Sequence, residues 1–144
     1  IDLTGLENLD FIGGGLLSIV ENENLESFNG LDNVVFQHFG GDWKLIKISL
    51  NPSLTTIDPG FIAPGSTIKR TSITYNPNLT DLDGFSNLTY LNWSLTIWAN
   101  DSLHDLSGLS NITNTTIGII DIWENDNLEN LSGLENYQTL DYNG

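Results

Sequence analysis

One phrase recurs down the chain at nearly constant spacing, and it limits the fold more than any other feature. Asn22, Asn51, Asn76, Asn100 and Asn125 lie 29, 25, 24 and 25 residues apart. Each opens the same four residues, Asn-x-(Asn/Ser)-Leu, ending at Leu25, Leu54, Leu79, Leu103 and Leu128. Three residues on comes another apolar side chain: Phe28, Ile57, Leu82, Leu106 or Leu131. Then follows Gly with a bulky apolar partner: Gly30-Leu31, Gly60-Phe61, Gly84-Phe85, Gly108-Leu109 and Gly133-Leu134. The second copy carries one extra residue, Pro59, and a partial copy, Gly5-Leu6-Glu7-Asn8-Leu9, starts the chain. A second Asn column reads Asn8, Asn33, Asn87, Asn111 and Asn136. A fixed period with such offsets specifies a solenoid.

A short β signal precedes each ladder Asn, as in Leu17-Ser18-Ile19, Ile46-Lys47-Ile48, Ser72-Ile73-Thr74, Leu95-Thr96-Ile97 and Ile120-Asp121-Ile122. Period-2 alternation places the residues five and three before the Asn inward and those four and two before it outward. One strand per repeat, stacked on its neighbours, builds a parallel sheet with rungs about 4.8 Å apart. The expected fold is mainly β: a β-solenoid of about 24–25 residues per turn. The recurring Asn is expected to end each strand and to form an amide ladder. Gly is expected to permit the sharp bend before the next apolar residue. The segments after Gly are too short for α-helices, so 3-10 or irregular turns are expected on the convex side.

These residues resemble a known family. Leu95-Thr96-Ile97-Trp98-Ala99-Asn100 followed by Leu103 and Leu106 is similar to the leucine-rich repeat, with one extra residue between Asn and Leu. Leu106-Ser107-Gly108-Leu109-Ser110-Asn111-Ile112 resembles internalin-type turns. The run from Gly13 to Ile19 and the phrase Asn76-Pro77-Asn78-Leu79 resemble receptor L-domain repeats. Such repeats occur in surface proteins of the Bacteroidota and, in related form, in fungal wall proteins. The resemblance covers residues 3–140 and implies a right-handed, leucine-rich-repeat-like β-solenoid. It implies an extracellular, secreted or cell-surface module for binding or adhesion, of bacterial type, without the Cys-rich caps of eukaryotic relatives.

Charge narrows the partners. There are 19 acidic and 4 basic side chains, for a formal net charge of -15. One Arg and three Lys cannot neutralise a run of phosphates, so nucleic acid is excluded as a partner. An anionic membrane surface is disfavoured for the same reason, and no apolar run reaches the roughly 20 residues of a membrane span. Absent Cys removes disulfides, zinc-thiolate sites and Cys nucleophiles. No nucleophile elbow, zinc helix or phosphate loop occurs, and His38 and His104 fall in different repeats. The expectation is therefore no enzyme and no cofactor. Calcium is a lesser expectation. Asp81, Asp83 and Asp105 lie on adjacent turns, and Asp101 and Asp126 share a column. Oxygen ligands suit that ion, while a solvated acidic edge explains the same residues.

The outward columns point to function. Two residues before the Asn they read Val20, Ser49, Thr74, Trp98, Trp123; four before, Ser18, Lys47, Ser72, Thr96, Asp121. Immediately before the Asn stand Glu21, Leu50, Tyr75, Ala99 and Glu124. Trp98 and Trp123 should therefore stand side by side on the exposed face with Tyr75 close by. Large aromatics beside polar and acidic groups suit a glycan or a protein partner. The candidate ligand-binding residues are Trp98, Trp123, Tyr75, Thr96, Asp121 and Glu124. Cover by a neighbouring domain or subunit is the competing explanation. An ice-binding array needs regular Thr or Asn columns facing out, and these columns are mixed. Seven Asn-x-Ser/Thr sequons, at Asn78, Asn87, Asn92, Asn100, Asn111, Asn114 and Asn130, follow from the composition of the repeat.

The organisation expected is a single solenoid domain over residues 1–144 with about five to six repeats and an insertion near 35–44, forming part of a longer protein. A second irregularity spans Pro59 to Arg70. The start, Leu3-Thr4-Gly5-Leu6-Glu7-Asn8, echoes Leu131-Ser132-Gly133-Leu134-Glu135-Asn136. Matching ends allow subunits to stack end to end, so a structural spacer or self-assembling stalk is the alternative to recognition.

Overall fold

The computed structural model describes residues 1–13, 15–37 and 45–137. Its strands are β1 (Phe11–Gly13), β2 (Leu16–Val20), β3 (Val35–Gln37), β4 (Leu45–Ser49), β5 (Thr67–Thr74), β6 (Tyr90–Trp98) and β7 (Asn114–Trp123). Five of them form one parallel sheet in the order β2-β4-β5-β6-β7, stacked as a solenoid of about four turns. The register follows the repeat. Ile19, Ile48, Ile73, Ile97 and Ile122 are successive partners, and so are Val20, Ser49, Thr74, Trp98 and Trp123.

Alternation along each strand sorts the side chains. Ile48, Ile73, Leu95 and Ile97 are fully buried. The turn columns close the core from the other side with Leu54, Leu79 and Leu103, then Ile57, Leu82 and Leu106, then Phe61, Phe85 and Leu109. Phe61 packs edge-on against Phe28, Phe36 and Phe85, with ring centroids 5.1, 5.8 and 6.0 Å away. Such T-shaped contacts are favourable beyond their burial. At the last rung the same columns open to solvent: Ile120 is 44% and Leu131 55% exposed.

Thr71 breaks the inward column between Ile46 and Leu95. It is buried, and its hydroxyl has no hydrogen-bond partner.

The turn after each strand differs from expectation. Strands end two residues before the Asn, and the residue between adopts a left-handed backbone. Glu21, Leu50, Tyr75, Ala99 and Glu124 have φ of 60, 58, 56, 54 and 51°. The break is made there, and the Asn is the first residue of the turn that follows. The N–H of each of those Leu donates to the Asn carbonyl three residues back, at 3.0–3.3 Å. Thus Asn-x-(Asn/Ser)-Leu is a β-turn phrase, and Pro52 and Pro77 occupy the second position that proline favours.

The Asn side chains stitch the rungs. Asn76 Nδ2 donates to Asn100 Oδ1 and to the carbonyls of Ile48 and Thr74, each at 3.1 Å. Its Oδ1 accepts from the backbone N–H and the side chain of Asn51, at 3.2 and 3.1 Å. The same links run from Asn22 to Asn51 and from Asn100 to Asn125. Asn51, Asn76 and Asn100 are fully buried.

The glycine column has two causes. At Gly30, Gly60 and Gly133 φ is positive, as a bend requires. Gly84 and Gly108 instead sit in the 3-10 helices Asp83–Phe85 and Ser107–Leu109. At these two, and also at Gly30 and Gly133, the rung beneath approaches too closely for a side chain: a Cβ on Gly108 would meet the Leu82 carbonyl. The expectation of 3-10 or irregular turns holds in both forms.

The first irregularity contributes a feature absent from the repeat. β1 and β3 pair in parallel as a separate two-stranded sheet, and Val34 bridges to Ile62. The rest of that insertion, residues 38–44, lies outside the described residues. In the second, Gly65 has φ of 81°, and the Ser66 hydroxyl accepts the Phe36 N–H at 3.1 Å before β5 begins.

Candidate functional site

All six candidate residues fall on the last three rungs of the sheet. Thr96 and Asp121 are register partners, facing outward on β6 and β7. Trp98 and Trp123, two residues further along, are partners as well. Their rings stack face to face, with centroids 4.1 Å apart and an interplanar angle of 10°. Tyr75 covers the other face of Trp98 at 4.4 Å and 60°. Trp98 Nε1–H donates to Glu124 Oε2 at 2.9 Å, which ties the stack to the left-handed column.

This stack changes what the tryptophans offer. Both faces of Trp98 are occupied by neighbouring rings, and that side chain is only half-exposed. Trp123 keeps one uncovered face and is 48% exposed. A sugar ring stacks on an open aromatic face, which Trp98 does not offer; Trp123 and Tyr75, each with one ring neighbour in the stack, are 48% and 39% exposed. The stack otherwise presents ring edges.

The second and third rungs carry small polar groups in the same column. The hydroxyls of Ser49 and Thr74 share a hydrogen bond of 2.8 Å and are buried. The aromatic surface is therefore confined to one end of the face.

A groove of about 880 Å³ runs beside the stack, across the rungs rather than along a strand. One wall is the left-handed column, Glu21, Leu50, Tyr75, Ala99 and Glu124. The other wall is the second residue of each β-turn, Glu23, Pro52, Pro77, Asp101 and Asp126. Of these ten, the sequence singled out two as ligand-binding candidates, Tyr75 and Glu124, and it did not reveal the groove. Its signal was present in two aligned columns, but the left-handed backbone that turns one of them toward the other has no residue signature: Glu, Leu, Tyr and Ala are not residues that favour positive φ.

The acids after the Asn have local work. Asp81 Oδ1 accepts the Asp83 N–H at 3.2 Å, and Asp105 Oδ1 accepts the Ser107 N–H at 2.8 Å. The side chain and backbone N–H of Ser107 hold the Asp105 carboxyl below its ordinary value. Asn130 makes the same turn with Ser132. Among the described residues no cluster of three His, Asp or Glu could hold a metal ion. No described helix is long and apolar enough to cross a membrane.

No protein-family model, curated protein or solved structure matches this chain.

Proposed function

We propose that this chain is a non-enzymatic recognition module, extracellular and secreted or surface-held, that binds a protein partner through its outward strand face. In this reading the solenoid is right-handed and leucine-rich-repeat-like. Parallel strands joined by a crossover almost always coil that way, and the Asn-Leu phrase fits the repeat. The observation that carries the reading is the adjacency of the Tyr75-Trp98-Trp123 stack and the groove, joined through Tyr75 and Glu124. Rigid aromatics beside a concave polar and apolar surface are the usual anchors of a protein interface. A glycan is the weaker candidate because the central ring, Trp98, has both faces covered within the stack. Thr96 and Asp121 border the aromatics and supply hydrogen-bonding groups.

The stack also favours a second reading. Rings that cover one another adhere rung to rung, as a structural spacer or stalk requires. Probing peptide and glycan arrays with wild type and with the Trp98→Ala/Trp123→Ala variant separates the two. Recognition predicts selected ligands, mainly peptides, that the variant loses while remaining folded. No ligand for wild type, with a lower melting temperature for the variant, favours the spacer.

A further inference from the structure

The groove beside the aromatic stack has a charge pattern that defines its occupant. Its middle is apolar: Leu50, Pro52, Tyr75 and Pro77 belong to the second and third rungs. Glu21 and Glu23 stand at one end; Asp101, Glu124 and Asp126 stand at the other. All five acids are exposed. No basic side chain lines the groove, and among the described residues no cation pairs with these acids. The five rungs span four steps of about 4.8 Å, or about 19 Å, which an extended chain of about six residues covers. A second copy of this chain, itself at -15, is repelled from such a surface.

The backbone adds a second observation. Among the described residues the remaining positive φ values belong to five glycines, Asn33 and Trp93. The groove wall instead keeps Glu, Leu, Tyr, Ala and Glu in that conformation at every rung, at a cost of about 1–2 kcal/mol each relative to glycine. Side chains are retained where glycine would relieve the backbone, and all of them line the groove.

We infer that the groove binds an extended, cationic peptide segment of a partner protein, with apolar residues over Leu50 and Tyr75 and Lys or Arg at each end. This rests on the recognition reading and names its partner class.

The test is fluorescence anisotropy with a labelled peptide carrying paired lysines at each end and about four apolar residues between them, so that the lysines reach the acids at both ends. A glutamate-ended counterpart is the control. The expected result is binding of the lysine peptide alone, weakened by salt. Asp101→Asn/Asp126→Asn is expected to weaken it about tenfold. Leu50→Asn, a residue that tolerates positive φ, is expected to weaken it about fivefold at unchanged melting temperature. Equal binding of both peptides, or no effect of these substitutions, overturns the inference. If the arrays yield ligands dependent on Trp98 and Trp123 while the lysine peptide fails to bind, the groove assignment falls and recognition stands. If neither approach yields a ligand, both fall.

Discussion

Asn76 shows what a single position in this repeat must do. Its amide and its backbone N–H join three successive rungs, and the residue is fully buried. Replacing it strands donors and acceptors on both neighbours, and each unsatisfied buried group costs about 1–3 kcal/mol. Asn76→Ala is therefore expected to cost about 4 kcal/mol by urea unfolding. Asn22→Ala, at the exposed end of the same ladder, is expected to cost about 1 kcal/mol or less. Equal costs would contradict a ladder whose strength comes from burial. Thr71 is the reverse case. Its hydroxyl is buried without a partner in a column of Leu and Ile, so Thr71→Val is expected to raise stability by about 1 kcal/mol. A loss instead would mean that the hydroxyl is satisfied in solution.

At the scale of elements, the rung is a strand, a left-handed residue, a β-turn and a Gly-led return. Much of this was legible. The inward columns, the Asn ladder and the Trp98–Trp123 pairing all follow from a period near 25 and an alternation of 2, whereas Ser49 and Thr74 of an outward column are buried. The rest was not, for identifiable reasons. β6 and β7 run longer than their apolar triplets because their early residues, such as Tyr90-Leu91-Asn92, gain strand form only by pairing with a neighbour. A register shift at Trp93, whose φ is 88°, absorbs the mismatch between those two strands. The β1–β3 sheet falls outside the repeat phase, so periodicity was silent on it. The glycines look alike in sequence yet answer to different constraints. A Cβ on Gly108 would strike the Leu82 carbonyl, whereas one on Gly60 meets nothing within 4 Å. Gly108→Ala is thus expected to cost about 3 kcal/mol or more through displaced backbone. Gly60→Ala should cost only the strain of positive φ, about 1–2 kcal/mol. Thermal unfolding of the pair checks this ordering, and a reversal would refute the close approach of rungs at Gly108.

For the whole molecule, the charge of -15 now has a location as well as a sign. Some acids close turns, as Asp81 and Asp105 do; others ring the groove with no cation paired to them among the described residues. Self-repulsion of so acidic a chain opposes the compact state. Raising salt from about 0.01 to 0.15 M shrinks the screening length from about 30 to about 8 Å. The melting temperature is therefore expected to rise over that range while affinity for a cationic peptide falls. Opposite responses of stability and binding separate the groove's charges from the general field, and parallel responses would argue that they act as one. The central claim is that the aromatic stack and the groove beside it form one recognition surface. It is tested most directly by mapping ligand-induced amide and indole shifts with nuclear magnetic resonance, using the tightest ligand selected on the arrays. The account predicts shifts concentrated on the Trp98 and Trp123 indoles and on Leu50, Tyr75, Ala99 and Glu124. Shifts confined to the convex turns or to the solenoid ends would contradict it.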